Sequence, residues 1–240
     1  MFKKKLGYSA DRRTWLLRIY NRLTRIYHAQ DLNFELQVMA RRESARYARL
    51  HMRDAIIHPG RWRLLETAVA EAPPGGLFLE AGVEKGTSIN FIARLLADRG
   101  EDTLVHGFDS FEGLPGEWSG TFELRGKFSR QGRPPEVLPN VRLHKGWFGE
   151  TLVPFMASHP GPTSLLHVDC DIYSSTCEVL AAVTGRLVPG SIVVFDEFFN
   201  YHNWQAHEAR AWREHVEALG LRYVWRGFAA RGGQAYLRIL

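Results

Sequence analysis

The chain has 240 residues and only two cysteines, Cys170 and Cys177, whose spacing fits neither a disulfide framework nor a zinc pattern. That excludes thiol staples and structural zinc, and a reducing compartment is expected. No apolar run reaches the length that spans a bilayer. The opening Met1-Phe2-Lys3-Lys4-Lys5 has the charge of a secretory n-region, but charged and polar residues follow where an apolar h-region belongs. A cytoplasmic protein is expected. Low-complexity tracts are also missing, and the composition is that of an ordinary globular chain, 45% hydrophobic and 24% charged. Acids are scarce only at the start: residues 1–63 hold 15 Lys/Arg against 5 Asp/Glu, the remainder 16 against 21. Such a basic arm suits either a solvated helical face or a weak contact with an anionic surface. The Lys/Arg-aromatic patterns of nucleic-acid modules are absent, so no specific nucleic-acid partner is expected.

The length allows one full α/β domain with a substantial core and not two. Residues 11–27 place Trp15, Leu16, Ile19, Tyr20, Leu23, Ile26 and Tyr27 on a helical stripe. Residues 33–57 and 61–72 also read as helices, the latter stopped by Pro73-Pro74-Gly75-Gly76. Residues 1–72 are therefore expected to form a helical extension, serving as a lid, a packing element or a dimer contact. From 73 onward, short apolar runs alternate with helical stretches. Strands are expected at 77–79, 104–108, 141–143, 165–168 and 191–195, and helices at 87–98, 151–158, 176–187 and 204–219. Two last strands, 221–225 and 234–239, read as an antiparallel hairpin at the sheet edge. The pattern predicts a doubly wound, mostly parallel sheet over 73–240.

The chemistry gathers where strands end. The run Leu165-Leu166-His167-Val168-Asp169-Cys170-Asp171 closes an apolar strand on two acids spaced two apart. In an extended strand Asp169 and Asp171 share a face, and Ser174, Ser175 or Thr176 can cap the helix that follows. Phe78-Leu79-Glu80-Ala81-Gly82-Val83-Glu84-Lys85-Gly86-Thr87-Ser88 reads as strand, turn and helix start. Its glycines, Gly82 and Gly86, allow a ligand close to the backbone, but their spacing is not the G-x-G-x-x-G of a dinucleotide site. A nicotinamide dehydrogenase is thereby disfavoured. Carboxylates at Glu80 and Glu84 would repel a pyrophosphate and suit a ligand carrying an ammonium and a sulfonium, as S-adenosylmethionine does. Asp109 ends the second strand, 23 residues after Gly86, where an acid takes a ribose diol in nucleoside-binding α/β folds.

Four motifs together carry a resemblance. They are Glu80-x-Gly82-x-x-x-Gly86, Phe108-Asp109-Ser110-Phe111-Glu112-Gly113-Leu114-Pro115, His167-Val168-Asp169-x-Asp171-x-Tyr173-x-Ser175-Thr176, and Phe195-Asp196-Glu197. Over about residues 76–240 the chain resembles class I S-adenosylmethionine-dependent methyltransferases, and more narrowly the macrocin O-methyltransferase (TylF-like) family, which modifies sugar hydroxyls. The resemblance implies a cofactor site at Glu80, Gly82, Gly86, Ser88, Asp109, Ser110 and Asp169. It also implies Mg²⁺ on Asp169, Asp196 and Glu197, with Asp171 as general base. Glu197 stands where the family has a second Asp; it keeps the carboxylate and lengthens its reach. Trp147 and Phe148 either flank the adenine or pack in the core. His167, on the strand parity of Asp169, is either catalytic or a buried, hydrogen-bonded histidine. The implied partner is a small, sugar-like or polyhydroxylated hydroxyl acceptor, and a homo-oligomer is compatible with the chain. The alternatives are a metal-independent methyltransferase and a non-catalytic cofactor-binding scaffold docked through its basic arm.

Overall fold

The computed structural model describes residues 15–20, 22–23 and 32–240. The chain divides into two compact units, residues 1–39 and 40–240. In the first, residues 15–20 and 22–23 are helical, with Trp15, Leu16 and Leu23 exposed. The rest of the helix expected over 11–27 lies outside the described residues. Helix α1 (Leu32–His51) runs on into the second unit, where Ala40, Ser44 and Ala48, spaced four apart, form its buried stripe.

The second unit is built on one sheet. Its strands are β1 (Ile56–His58), β2 (Leu77–Ala81), β3 (Val105–Asp109), β4 (Val141–Lys145), β5 (Thr163–Val168), β6 (Ile192–Phe195), β7 (Tyr223–Ala229) and β8 (Ala235–Ile239). Among the described residues the order is β1-β7-β8-β6-β5-β2-β3-β4. All neighbours pair in parallel except β8, which runs against both β6 and β7. The mostly parallel sheet with its antiparallel hairpin is the one expected. A short strand, β1, lies beyond the hairpin and overlaps the end of the stretch read as helix over 33–57. Two Ile residues and the pairing with β7 hold it extended.

Helices α2 (Arg61–Glu71), α3 (Thr87–Asp98), α4 (Phe148–Ser158), α5 (Tyr173–Ala182) and α6 (Glu208–Leu219) cover the sheet. Alternation along each strand divides the core in two. Phe78, Leu165, Ile192 and Val194 pack with Leu64 and Leu65 of α2 and Ile89, Ile92 and Leu96 of α3. Leu79, Leu166, Val193 and Phe195 pack with Phe155 of α4, Val179 and Leu180 of α5 and Trp212 of α6. Strands β5 and β6 are buried throughout, as parallel strands covered on both faces must be. Trp212 is 1% exposed, and truncating a core aromatic of that size to Ala removes about 3–5 kcal/mol. No described helix is long and apolar enough to cross a membrane.

Candidate active site

Strand β2 has β3 and β4 on one side and β5 and β6 on the other, so the direction in which the chain adds strands reverses there. The carboxyl ends of strands diverge at such a point, and open α/β sheets bind ligands in the crevice outside it. A cavity of about 500 Å³ lies there, lined by Gly82, Glu84 and Ser88 after β2, Asp109 and Ser110 after β3, Asp169 and Asp171 after β5, and Asp196 and Glu197 after β6. Trp147 and Phe148 at the start of α4 close another side.

The turn after β2 is set by backbone fit. Gly82 has φ +90°, and a Cβ there would overlap the carbonyl of Asp169. Only glycine combines that conformation with so close an approach. Gly86, φ +77°, caps α3 beside Pro135. Asp109 ties this turn to β3: Oδ2 accepts the N–H groups of Val83 and Glu84, each at 2.8 Å, and Oδ1 accepts that of Phe111 at 2.6 Å. A carboxylate has about four acceptor positions, so one remains for a ligand hydroxyl. Ser110 Oγ accepts the Glu112 N–H at 3.1 Å.

Glu80 and His167 lie beneath the cavity and do not line it. Glu80 is 0% exposed; its carboxylate accepts Ser88 Oγ–H at 3.1 Å and His167 Nδ1–H at 2.8 Å. The other ring nitrogen, Nε2, is 3.8 Å from Asp196 Oδ1. Burial opposes charge on His167, but the bonds to Asp196 and Glu80 outweigh it and push its pKa up to about 10. Burial pushes the Glu80 carboxyl up, against the pull of His167.

The acids form two overlapping sets. Carboxylate oxygens of Asp169, Asp171 and Glu197 lie within 4.8 Å of one another, as do ligand atoms of His167, Asp169 and Asp196. Parallel pairing of β5 with β6 brings the two strand ends together. The sharing of one strand face expected for Asp169 and Asp171 does not occur. Strand β5 stops at Val168, and Ile172 N–H bonds back to the Cys170 carbonyl at 2.7 Å around Asp171, whose φ is +64°. This γ-turn conformation is rare and strained for a non-glycine residue. Helix α5 accordingly starts at Tyr173, with Ile172 at its N-cap and no hydroxyl cap.

Burial and then the charge of Asp196 push Asp169 and Glu197 well above the usual carboxylate range, and raise Asp171 to about 7. Asp196 moves the other way: burial works against its charge, but His167 and Arg61 hold it well below that range. Arg61 Nη1 is 3.7 Å from Asp196 Oδ2. A fifth acid, Glu208, is fully buried at the start of α6. No donor among the described residues reaches the buried Glu197 Oε2 or Glu208 Oε1. Hard oxygen ligands in excess of donors fit a divalent cation of the Mg²⁺ or Ca²⁺ kind.

A family model described as a methyltransferase domain matches residues 79–198, which hold the carboxyl ends of β2 to β6. The chain belongs to that methyltransferase family. Over 155 residues it is 30% identical to the 8-demethyl-8-(2,3-dimethoxy-alpha-L-rhamnosyl)-tetracenomycin-C 4'-O-methyltransferase of Streptomyces olivaceus. That alignment covers 56% of this chain and 57% of the relative, so the match spans little more than half of that protein. The crystal structure of CalS11, a calicheamicin methyltransferase, superposes with a TM-score of 0.59 at 26% identity, over 74% of this chain and 76% of that one. The O-methyltransferase NovP shares the fold, with a TM-score of 0.56 at 20% identity over 74% and 78% of the two chains.

In this methyltransferase domain, ten of the residues singled out from sequence line one cavity: Gly82, Ser88, Asp109, Ser110, Trp147, Phe148, Asp169, Asp171, Asp196 and Glu197. Gly86 stands beside it, and Glu80 and His167 lie below. Sequence reasoning missed Arg61, Trp62 and Trp118, which also line it, and Glu208. Arg61 and Trp62 fell in a stretch read as an extension. Nothing set Glu208 apart: it fell inside the helix expected over 204–219, where an acid near the start ordinarily serves the dipole.

Proposed function

We propose that the chain is an S-adenosylmethionine-dependent O-methyltransferase acting on a hydroxyl of a sugar-like or polyhydroxylated small molecule, assisted by a divalent cation. One observation carries the reading: the glycine turn and the strand-end acids meet in one cavity, backbone against backbone, at Gly82 and Asp169. The Streptomyces olivaceus relative is named for a rhamnosyl substrate, which supports a sugar-like acceptor here.

Gly82, Ser88, Asp109 and Ser110 bind the cofactor, Gly86 sets the turn, and Glu80 braces it from below through Ser88. Trp147 and Phe148 flank its adenine. S-adenosylmethionine, when bound, supplies the methyl group. Asp169, Asp196 and Glu197 would hold Mg²⁺, which when bound lowers the pKa of a coordinated hydroxyl. Asp171 accepts the acceptor's hydroxyl proton; its pKa near 7 matches a general base working at neutral pH. His167 steadies Asp196 rather than touching the acceptor. Residues 73–240 carry this chemistry, and Arg61 and Trp62 complete the wall on the acceptor side.

The test is calorimetric titration of S-adenosylhomocysteine into the protein, with Mg²⁺ and in EDTA, beside the Asp109→Ala variant. Binding by the natural chain and a loss of more than about tenfold in the variant are expected, since the substitution frees three N–H groups of the turn. Absence of binding in both buffers would overturn the reading.

A further inference from the structure

Glu208 has no part in the chemistry above, yet it is among the most completely buried acids in the chain, at 0% exposure. Its Oε2 accepts the main-chain N–H of Glu197 at 3.1 Å. Its Oε1 is buried and meets no donor among the described residues. The other buried residues of α6, Ala209, Ala211 and Trp212, are apolar. A buried carboxylate oxygen without a partner is destabilising, so packing alone does not account for an acid here.

The position of this carboxylate is fixed from outside the acid cluster. His207, which precedes it, donates Nε2–H to the Ser119 carbonyl at 2.9 Å, and Ser119 Oγ lies 3.1 Å from the same nitrogen. Gly120 packs so closely on the His202 carbonyl that a Cβ would overlap it. The first turn of α6 is thus clamped to the loop that carries Trp118. Glu197 itself has a bridge to Gly233 on its other side.

We propose that Glu208 is a positioning residue for the cation site. Oε2 fixes the main chain of Glu197 and so the direction in which that carboxylate leaves it. Oε1, left without a donor, would accept a hydrogen bond from a water held by a cation there. Mg²⁺ keeps several of its waters when protein carboxylates bind it, and groups behind the direct ligands orient both. This rests on the reading that Asp169, Asp196 and Glu197 hold a divalent ion.

The experiment is Mn²⁺ titration, followed by the electron paramagnetic resonance of the free ion, on the natural chain, Glu208→Ala and Glu208→Gln. S-adenosylhomocysteine affinity in EDTA is measured for each. Glu208→Ala is expected to weaken Mn²⁺ binding about 10–100-fold, as loss of such second partners does elsewhere. Glu208→Gln, which keeps one acceptor, falls between. Affinity for S-adenosylhomocysteine in EDTA stays at the natural value, which a general loss of structure would not allow. Should Glu208→Ala fail to fold, Glu208→Gln decides: a folded variant with natural Mn²⁺ affinity overturns the proposal. Natural Mn²⁺ affinity in a folded Glu208→Ala does the same. No Mn²⁺ binding by the natural chain would overturn the cation site itself, a different result.

Discussion

Glu71, at the end of α2, and the acids around the cavity are the same chemical groups in opposite circumstances. One Glu71 oxygen accepts Arg226 at 2.8 Å and Arg238 at 2.9 Å; the other accepts Arg226 at 3.0 Å and the Tyr236 hydroxyl at 3.1 Å. Burial raises its pKa, but these donors outweigh it and the carboxyl ends below its usual range. The five acids after β5 and β6 and at the start of α6 have, among the described residues, Arg61 and His167 at 3.7 and 3.8 Å and one main-chain N–H at 3.1 Å. The fold completes the first carboxylate and holds α2 to the hairpin with it. It leaves the second set short of donors, the condition that the proposed cation and proton-acceptor site requires.

The sharpest way to break this contrast is Asp171→Asn. The amide keeps the shape and removes the base, so kcat should fall about 10²–10⁴-fold. S-adenosylhomocysteine affinity should stay unchanged by calorimetry; a variant with natural kcat would remove Asp171 from the chemistry. Next comes Glu71→Ala, expected to lower stability by about 1–3 kcal/mol in urea unfolding, with ligand and Mn²⁺ affinities intact. An affinity change there would mean that the two regions are not separate. The smallest effect is in pH. Asp171 moves from an ordinary 3.8 to about 7 in the folded chain. Between about pH 4 and 7 the folded protein therefore binds protons that the unfolded chain has released, and stability in EDTA falls as pH rises through that window. Mg²⁺ and Asp171→Asn should each flatten the fall. Glu71, with its lowered pKa, acts in the opposite sense: its contribution is present above the unfolded value of about 4.5 and lost as pH falls further. A melting temperature in EDTA that rises from pH 5 to pH 7.5 would count against the crowded-acid account.

The alternation of apolar runs and helices made the parallel sheet legible, because covered parallel strands leave a plain hydrophobic signature at Leu165–Val168 and Ile192–Phe195. The acids after those strands were legible for the same reason: a charge that ends a buried strand stands out. Strand parity was a poorer guide. It rightly gave His167 the side of Asp169, where ligand atoms of the two lie within 4.8 Å of one another, but not the depth at which His167 pairs with Glu80. Asp171 reached the cavity by a γ-turn that no residue pattern announces. Arg61 and Trp62 reach it, and Glu208 reaches the main chain of Glu197, only through long-range packing: β1 against β7, and α6 clamped by Ser119. Local sequence does not hold that information.

The contact between Gly82 and the Asp169 carbonyl has a consequence for how such an enzyme changes over time. Two main chains in van der Waals contact cannot drift apart by side-chain substitution, so under the proposed function the separation between methyl donor and acid cluster would be inherited as a fixed length. Under the proposed function, variation in what is methylated would come from elsewhere, from the Trp118 loop and the wall at Arg61 and Trp62. New acceptors can be tried there without disturbing the distance over which the methyl group travels.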